Sequence, residues 1–333
     1  MIKVGVIRGG ISGEYKVSLD SGANVLSCLR SESMKDKYSA IDIFIDPEGI
    51  WHINGIPVTI EKVASKVDLI INALHGDYGE DGKVQELLEQ WKIPYTGSDS
   101  ASSFIGYNKF LTKQEFNKLG INTPKHILFP VYQDDFDGPR NRYAEKKARE
   151  VWRSMPPPWV VKPLTGGSSL GIYVCKTFAS LVTAFEESID SGVSILVEEF
   201  IKGKEATVGV LDNFRGKDIY AFPAIEIQIP KTSTFFDNEV KYNGKSQEIC
   251  PGNFTNEEKV ELERLASLIH TGLHLSHYSR SDFIVHPKRG IYAIEVNTLP
   301  GLTNESLMPK AFDAVGTNMS EFIEHIIKLA LKK

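Results

Sequence analysis

The sequence predicts a mixed fold, with a parallel α/β part followed by mainly antiparallel α+β parts. The first hundred residues alternate strand and helix patterns, beginning with an apolar run from Ile2 to Ile7. That alternation is typical of a parallel sheet with helical crossovers. From Trp159 onward, the strand patterns WVVK, GIYVCK and SILVEEF are joined by short loops, which favour antiparallel pairing. The 333 residues suffice for two or three packed units of about 100 residues each.

The composition is that of a soluble globular protein and excludes several functional classes. Hydrophobic residues make up 41% of the chain, charged residues 24%, and the net charge is -5, so no basic surface for nucleic acid is indicated. No apolar run approaches the roughly 18 residues that a membrane span needs. The three widely spaced cysteines suit reduced thiols better than a disulfide framework. We therefore expect a cytoplasmic protein with no nucleic-acid or membrane partner.

A β-hairpin is predicted near the C-terminus. The strand patterns SDFIVH and IYAIEV are separated by Pro287-Lys288-Arg289-Gly290, and a four-residue loop with glycine last suits a hairpin. Without a bulge, alternate residues of the two strands would face each other on one side of the hairpin. The facing pairs would be His286 with Ile291, Ile284 with Ala293, Asp282 with Glu295, and Arg280 with Asn297.

The pair of Asp282 and Glu295 predicts a metal site. Their Cβ atoms would lie about 5 Å apart, and two bare carboxylates at that distance repel by roughly 3 kcal/mol at an effective dielectric near 20. The pair therefore needs a cation or a shared proton. Asn297 adds a neutral oxygen on the same face, and an all-oxygen set suits Mg²⁺ or Mn²⁺. A solvated polar hairpin end is the alternative, against which the neighbouring Arg280 and a phosphate-type loop argue.

That loop, Leu164 to Gly171, is rich in glycine and serine and lies between two strand patterns. Its backbone N–H groups can come close to an anion, and Lys162 adds a positive charge just before it. It lacks the Gly-Lys-Ser/Thr that opens a helix in a P-loop, and a plain hairpin turn is the alternative. The apolar-poor segment 230–251, which contains Lys241-Tyr242, is in the same way either a lid or a loose loop.

Taken together and in order, these features resemble the D-alanine–D-alanine ligases of the ATP-grasp superfamily. The resemblance runs through nearly the whole chain. The lysines, the glycine loop and the acidic hairpin indicate the ATP-grasp superfamily in general. The opening GGxSxE and the Lys-Tyr loop indicate this ligase family within it. The motifs are GGISGEYKVSLDSG (9–22), LHGDYGEDGKVQ (74–85), YTGS (95–98), NKFLTK (108–113), VVKPLTGGSSLG (160–171), LVEEFIKGKEATV (196–208), FFDNEVKY (235–242), RSDF (280–283) and EVNTLPGLTNESLMP (295–309).

The resemblance implies a three-domain ATP-grasp architecture, in which two mainly antiparallel α+β domains clamp ATP beside an N-terminal parallel α/β domain. We expect the domains at 1–107, 108–203 and 204–333, with the glycine-rich flap in the second and the metal-binding hairpin and lid loop in the third. The implied reaction is phosphorylation of one D-alanine carboxylate by ATP, followed by attack of the amine of a second D-alanine on the acyl phosphate. The dipeptide would serve peptidoglycan synthesis, and a homodimer is implied.

The resemblance also assigns the ATP and metal contacts. Two Mg²⁺ or Mn²⁺ ions would be held by Asp282, Glu295 and Asn297. Phosphates would meet the lysines and the glycine loop, while adenine and ribose would meet the strand that joins the last two domains. The implied ATP-binding residues are Lys109, Lys162, Ser168, Glu198, Ile201, Glu205 and Lys241.

For the amino-acid substrates, the resemblance places Glu14 at the ammonium of the first D-alanine with His75 nearby. Arg280 and the N–H of Gly301 would form the oxyanion site for the tetrahedral intermediate. Ser306 and Leu307 would lie along the carboxylate of the second D-alanine. The remaining catalytic residues are implied to link the N-terminal loop, the flap and the lid against water; they are Glu14, Ser168 and Tyr242.

Three residues depart from the family pattern. Arg8 stands where an apolar residue is usual, and Tyr15-Lys16 replaces a basic or His residue followed by an acid. Lys16 adds a charge of unexpected sign near Glu14. The retained Lys-Tyr of the lid argues for an amine as second substrate, because relatives that make D-alanyl-D-lactate tend to differ at the Tyr.

Two alternatives stay open. One is another ATP-grasp carboxylate–amine ligase that uses a different amino acid or a D-hydroxy acid. The other is a nucleotide-binding homologue that has lost catalysis and acts as a sensor or scaffold.

Overall fold

The N-terminal part of the chain forms a five-stranded sheet. A computed structural model describes residues 1–167, 171–228 and 247–332 and arranges their strands in three sheets. The first has the order β4-β3-β2-β1-β5, in which β1 pairs with β2 and β5 in parallel and the other neighbours pair in antiparallel. Its strands are β1 (Ile2–Gly9), β2 (Tyr38–Ile45), β3 (Trp51–Ile53), β4 (Ile56–Pro57) and β5 (Leu69–Asn72).

Helices cover this sheet as the apolar periodicity predicts. The first helix buries Val25, Leu26 and Leu29, which lie on one face at i, i+1 and i+4. Tyr95 adds a single parallel bridge to Ile70 of β5. The helices are α1 (Tyr15–Leu29), α2 (Ile60–Ala64), α3 (Lys83–Gln90) and α4 (Ser100–Tyr107).

The second sheet is antiparallel throughout, as its short loops predict, with the order β6-β9-β7-β8. Asn108 caps the helix that leads into this part, since its Oδ1 accepts from the N–H groups of Phe110 and Leu111 at 3.1 Å. The elements are α5 (Lys109–Lys118), β6 (His126–Phe129), α6 (Asp134–Asp137), α7 (Arg140–Ser154), β7 (Trp159–Pro163), β8 (Tyr173–Cys175), α8 (Phe178–Ile189) and β9 (Ile195–Glu199).

The third sheet is also antiparallel, with the order β13-β12-β10-β14-β15 and β11 paired to β10. A capping box begins the helix at Asn256, because the side chains of Thr255 and Glu258 each accept from the other's backbone N–H. The elements are β10 (Lys204–Phe214), β11 (Lys217–Ala221), β12 (Ile225–Gln228), β13 (Gln247–Ile249), α9 (Asn256–Gly272), β14 (Tyr278–His286), β15 (Gly290–Asn297), α10 (Leu307–Ala314) and α11 (Met319–Ala330).

The turn of the β14–β15 hairpin is shorter than predicted. His286 pairs with Gly290, so the loop consists of Pro287 to Arg289. Gly290 has φ +82°, the left-handed conformation that glycine adopts at the end of a three-residue hairpin loop. Two of the predicted pairs are therefore wrong, namely His286 with Ile291 and Ile284 with Ala293.

A β-bulge at Ile294 restores the predicted register at the other end of the hairpin. Phe283 pairs with Ala293, but the next residue back, Asp282, pairs with Glu295. The extra residue changes which face the following side chains occupy. Asp282 with Glu295 and Arg280 with Asn297 are thus the pairs that the prediction named, although the bulge was not predicted.

The last helix packs in the first core. Phe322 and Ile326 of α11 are buried in the same cluster as Val4 of β1 and Leu26 of α1. The two ends of the chain therefore complete one hydrophobic core. Among the described residues, no helix combines the length and the apolar character that a bilayer crossing requires.

Candidate active site

The end of the β14–β15 hairpin presents a guanidinium clamped on a carboxylate. Arg280 Nε lies 3.0 Å from Asp282 Oδ1, and its Nη2 lies 2.9 Å from Oδ2. The hydroxyl of Thr207 on β10 donates to the same Oδ1 at 2.5 Å. Burial alone would lower the pKa of Arg280, but the charges of Asp282 and Glu295 outweigh it and raise the pKa. Arg280 is therefore a fixed, permanently charged donor at the acidic end of the hairpin.

Asp282, Glu295 and Asn297 offer a donor set that fits Mg²⁺ or Mn²⁺. Asp282 and Glu295 are paired across the two strands, and Asn297 lies two residues after Glu295 on β15. Asn297 Oδ1 already accepts from the N–H of Leu299 at 2.9 Å, which fixes the orientation of the amide. Within 1–167, 171–228 and 247–332, no group of three or more His, Cys, Asp or Glu could hold a metal. The site thus offers two carboxylates and an amide oxygen, a hard-ligand set.

Three buried lysines lie in and beside the second sheet. Lys162 of β7 and Lys113 of α5 approach the same atom, Glu198 Oε1 of β9, at 3.0 and 2.9 Å. Lys109, one turn before Lys113 on α5, donates from Nζ to the carbonyl of Gly166 at 2.5 Å. Lys109 thereby connects α5 to the start of the glycine-rich loop.

The electrostatics of this lysine cluster favour a bound polyanion. Burial lowers the pKa of Lys109 and brings the pKa of Lys113 to about 8, with the neighbouring charge of Lys162 acting in the same direction on both. Burial would raise the pKa of Glu198, but Lys113 and Lys162 outweigh it and lower the pKa. Of the three buried cations, only Lys113 and Lys162 are ion-paired with the Glu198 carboxylate, whereas Lys109 contacts a carbonyl. The cluster therefore carries excess positive charge, which phosphate groups would stabilise.

The carboxylate of Glu14, a residue of the N-terminal loop, lies between the turn at Gly76 and the glycine-rich loop. A Cβ added at Gly167 would stand 3.2 Å from Glu14 Oε1, and one at Gly76 would stand 3.2 Å from Oε2. Both backbones therefore approach the carboxylate closely, and a side chain at either glycine would press on it. The expected proximity of Glu14 to the flap is present at Gly167, the last residue described before a gap at 168–170.

His75 is buried and is connected by hydrogen bonds to the segment that follows Gly301. Its Nε2 lies 2.9 Å from Ser21 Oγ, and that hydroxyl accepts from the N–H of Leu302 at 3.3 Å. The carbonyl of His75 accepts from Ser12 Oγ at 2.5 Å. His75 is thus held by α1 and lies two hydrogen bonds from the segment that follows Gly301.

Sequence reasoning missed Glu80 in this region. Its Oε1 accepts from the N–H of Gly76 at 3.0 Å and lies 3.6 Å from His75 Nδ1. The charge of Glu80 also acts on Arg280 and Lys109. The motif LHGDYGEDG could have indicated Glu80, because the chain can turn within five residues and bring this acid back beside His75.

Gly301 and Ser306 meet at the start of α10. A Cβ at Gly301 would stand 2.8 Å from Ser306 Oγ, and Ser306 is the N-cap residue of the helix. The Ser306 hydroxyl accepts from the N–H of Thr303 at 3.1 Å and lies 2.7 Å from Thr303 Oγ1. Leu307 follows as the first helical residue and packs against the first core. Gly301, a proposed oxyanion donor, is therefore adjacent to Ser306, a proposed second-substrate residue.

Comparisons with known proteins identify the family of this chain. The family model described as D-ala D-ala ligase C-terminus matches residues 116–328, and the one described as D-ala D-ala ligase N-terminus matches residues 55–98. This chain belongs to the D-Ala–D-Ala ligase family. A D-alanine--D-alanine ligase of Geotalea uraniireducens is 35% identical over 99% of this chain and 96% of its own. One of Halalkalibacterium halodurans is 35% identical over 100% of both chains.

Solved structures confirm the ATP-grasp fold predicted from the sequence. VanG D-Ala:D-Ser ligase from Enterococcus faecalis superposes with a TM-score of 0.83 and 29% identity, covering 99% of each chain. The D-alanine--D-alanine ligase from Bacillus anthracis complexed with ATP superposes with a TM-score of 0.79 and 29% identity, covering 100% of this chain and 98% of that one. The three sheets correspond to the mixed architecture of the ligase family.

The departures from the family pattern are accommodated away from Glu14. Arg8 Nε and Nη2 lie 2.8 and 2.7 Å from the two carboxylate oxygens of Asp42, which neutralises the extra charge within the first sheet. The side chain of Lys16 is exposed on α1. Tyr15 packs edge-on against Phe44, with the ring centroids 6.3 Å apart.

The remaining predicted ligase residues divide into two groups. Ile201 is buried just beyond β9, and Glu205 is half-buried on β10 opposite Ile284. Ser168, Lys241 and Tyr242 lie outside the described residues, so their roles stay predictions.

Proposed function

We propose that this protein joins two D-alanine molecules into D-alanyl-D-alanine and converts ATP to ADP and phosphate. The observation that supports this most strongly is the shared influence of Glu295. Its charge acts on Arg280 at the hairpin end and on Lys109 beside the glycine-rich loop. The proposed oxyanion donor and a proposed phosphate ligand therefore lie within electrostatic range of the same acidic strand end, which supports a single site where an acyl phosphate is both formed and consumed.

In the first proposed step, a carboxylate oxygen of the first D-alanine attacks the terminal phosphorus of ATP. The bond from that phosphorus to the bridging oxygen breaks, and ADP leaves. Lys109 and Lys162 would hold the phosphates, with Lys241 and Ser168 closing from the lid and the flap. Positioning and charge neutralisation account for most of the catalysis of phosphoryl transfer.

In the second step, the free amine of the second D-alanine attacks the carbonyl carbon of the acyl phosphate. A tetrahedral intermediate forms, then inorganic phosphate leaves, and the attacking nitrogen loses a proton. Arg280 and the N–H of Gly301 would stabilise the oxyanion. Glu14 would pair with the ammonium of the first D-alanine beside His75, and Ser306 and Leu307 would lie along the carboxylate of the second.

We propose Asp282, Glu295 and Asn297 as the ligands of two Mg²⁺ or Mn²⁺ ions. Their oxygen donors match these metals and do not match zinc. When bound, such ions would neutralise charge on the phosphates. Glu198, Ile201 and Glu205 would contact the adenosine, and Tyr242 would join Glu14 and Ser168 in closing the site. A homodimer is proposed as the assembly.

A second acceptor, D-serine, is the competing proposal. The likeness to a protein described as a D-Ala:D-Ser ligase favours it, with a TM-score of 0.83 at 29% identity. D-serine differs from D-alanine by one hydroxyl, and a pocket that merely tolerates an extra hydroxyl discriminates weakly. The proposed acceptor site includes the Ser306 hydroxyl, which already lies near Thr303.

The test is a product assay on the purified protein with ATP and MgCl₂. We expect ADP release that depends on D-alanine and a dipeptide of two D-alanines by mass spectrometry. Parallel reactions replace half of the D-alanine with D-serine, D-lactate or L-alanine. ADP release with L-amino acids and none with D-alanine would contradict the proposal. Tight ATP binding without any D-alanine-dependent phosphate release would support the sensor alternative.

A further inference from the structure

Lys113 lies at the centre of a buried ion cluster and has no assigned role in the proposed reaction. Its side chain has an exposed fraction of 0%. Its Nζ lies 2.9 Å from Glu198 Oε1 and donates to Thr123 Oγ1 at 2.8 Å. A fully buried ammonium group is costly unless it is paired and hydrogen-bonded. These two partners meet that requirement.

The contacts of Lys113 join three separate elements. Lys113 belongs to α5, Glu198 to the end of β9, and Thr123 to the connection between α5 and β6. Lys162 of β7 approaches the same oxygen of Glu198 at 3.0 Å. Lys113 and Lys162 therefore compete for the same Glu198 carboxylate. Of the two lysines, only Lys162 lies next to the glycine-rich loop.

We infer that Lys113 is a positioning residue of the nucleotide site, which holds the Glu198 carboxylate in place and leaves Lys162 available to phosphate. This inference rests on the proposed function, in which Glu198 meets the adenine and Lys162 the phosphates. Because one carboxylate oxygen serves both lysines, Lys113 connects the adenine end of the site to its phosphate end.

Removal of the Lys113 charge would affect both ends of the nucleotide. Glu198 would then have Lys162 as its remaining directly bonded cation, and the stronger attraction would draw Lys162 away from phosphate. The carboxylate would also lose the contact that orients it toward the exocyclic amine of adenine. A carboxylate accepts a hydrogen bond from that amine but faces a carbonyl oxygen in guanine, so selection for adenine would weaken.

Proton uptake gives a second signature of Lys113. The charged and titratable groups that act on it are Glu198, Lys162 and Glu295, and His126 also faces it. In the nucleotide-free protein the pKa of Lys113 is about 8 because of burial, with Lys162 also lowering it. Phosphate would neutralise Lys162 and thus raise the pKa of Lys113. ADP binding near pH 8.5 should therefore take up protons, and ADP affinity should fall as the pH rises through about 8.

The experiment is calorimetric titration of the full chain with ADP and with GDP at about pH 8.5. Two phosphate-free buffers of different ionisation enthalpy report the protons taken up. We expect Lys113→Met to weaken ADP binding by about tenfold or more, to reduce the preference for ADP over GDP, and to reduce the proton uptake. Thr123→Val removes one hydrogen-bond partner of Lys113. It should change ADP affinity, base preference and proton uptake in the same direction as Lys113→Met, but by a smaller amount.

Lys118→Met is the matched control. Lys118 belongs to the same helix, but its side chain is 70% exposed and pairs with Glu115 at 2.6 Å. It should leave ADP affinity, base preference and proton uptake unchanged.

The inference is overturned if folded Lys113→Met keeps the wild-type values of all three quantities. Should Lys113→Met not fold, unchanged values in Thr123→Val overturn it. ADP binding is measured without D-alanine. A protein that binds ADP through Lys113 but makes no dipeptide would therefore contradict the proposed function alone.

Discussion

At the scale of single residues, Asp282 is already satisfied before any metal binds. It receives two bonds from the Arg280 guanidinium and one from Thr207. A bidentate arginine pair is short and directional, so Asp282 and Arg280 hold each other in position. The oxyanion donor and a metal ligand of the proposed site are therefore preorganised by the same ion pair.

Arg280→Ala should abolish most ligase activity. Loss of one oxyanion donor typically lowers kcat by about 100-fold to 1,000-fold, and the variant also frees Asp282 from its clamp. Steady-state ADP release with D-alanine measures the effect, and urea unfolding checks that the fold persists. Arg264→Ala, an exposed arginine paired with Glu261 on α9, is the control. Near-normal dipeptide synthesis by folded Arg280→Ala would refute the oxyanion role.

Glu295→Gln should weaken metal-dependent use of ATP. The amide keeps the shape of the side chain but removes one of the two charges that attract a divalent cation. We expect the Mg²⁺ concentration for half-maximal activity to rise by about tenfold, with partial recovery at high Mg²⁺. Glu305→Gln changes an exposed acid close in the chain and serves as control. An unchanged Mg²⁺ dependence in Glu295→Gln would rule out the metal role.

Residue types and spacing predicted which side chains meet at the hairpin but not which lysines are buried. Arg280, Asp282 and Glu295 lie on one short segment of chain, where strand alternation places them together. Lys113 depends on β9 and on the connection before β6, which approach it only through the tertiary fold. Its burial is therefore not visible in the local sequence.

At the scale of elements, the β14–β15 hairpin contains two registers. The turn half follows a three-residue loop, and the acidic half is offset from it by the bulge at Ile294. An unbulged strand continuing from the turn would place Ile294, not Glu295, opposite Asp282. The prediction of the acidic pair was correct although it assumed a four-residue loop and no bulge. The actual loop is one residue shorter, and the extra residue of the bulge compensates for that difference.

Gly203→Ala should loosen the sheet that supports this hairpin. A Cβ at Gly203, just before β10, would stand 2.3 Å from the carbonyl oxygen of Val285 on β14. Backbone must move to relieve that contact, and overpacking of this kind costs about 1–3 kcal/mol. Urea denaturation measures the loss in the free energy of unfolding.

Gly216→Ala is the matched comparison for this variant. Gly216 has open space around it but a φ of +77°, so only the strain of a left-handed alanine applies, about 1 kcal/mol. A smaller loss for Gly203→Ala than for Gly216→Ala would contradict the predicted clash.

At the scale of the whole molecule, a buried polar network joins the first sheet to the third. Asp212 of β10 lies 2.9 Å from His270 Nε2 and accepts from the N–H of His277 at 2.6 Å. His277 Nδ1 accepts in turn from the N–H of Gly97 at 3.0 Å. The YTGS motif, to which Gly97 belongs, is thus fastened to the start of β14.

Asp212→Asn should lower stability and flatten its dependence on pH in the acid range. Burial would raise the pKa of Asp212, but His270 and the backbone N–H of His277 outweigh it and lower the pKa. Ionised Asp212 therefore stabilises the fold above about pH 4, and this contribution disappears as the pH falls through the lowered pKa.

Thermal and urea unfolding between about pH 2 and pH 7 test the prediction for Asp212. At neutral pH we expect a loss of about 1–3 kcal/mol, the usual cost of weakening a buried charged hydrogen bond. Asp218→Asn changes an exposed acid on β11 and should match the wild type. A pH profile of Asp212→Asn parallel to that of the wild type would contradict the assignment.

The placement of α11 has a consequence for how the chain folds as it is synthesised. Val4 and Leu26 leave the ribosome about three hundred residues before Phe322 and Ile326, which complete their core. Contacts of such large sequence separation form slowly, and apolar surface exposed in the meantime promotes aggregation. The nascent N-terminal part should therefore carry an open apolar face until α11 has been synthesised.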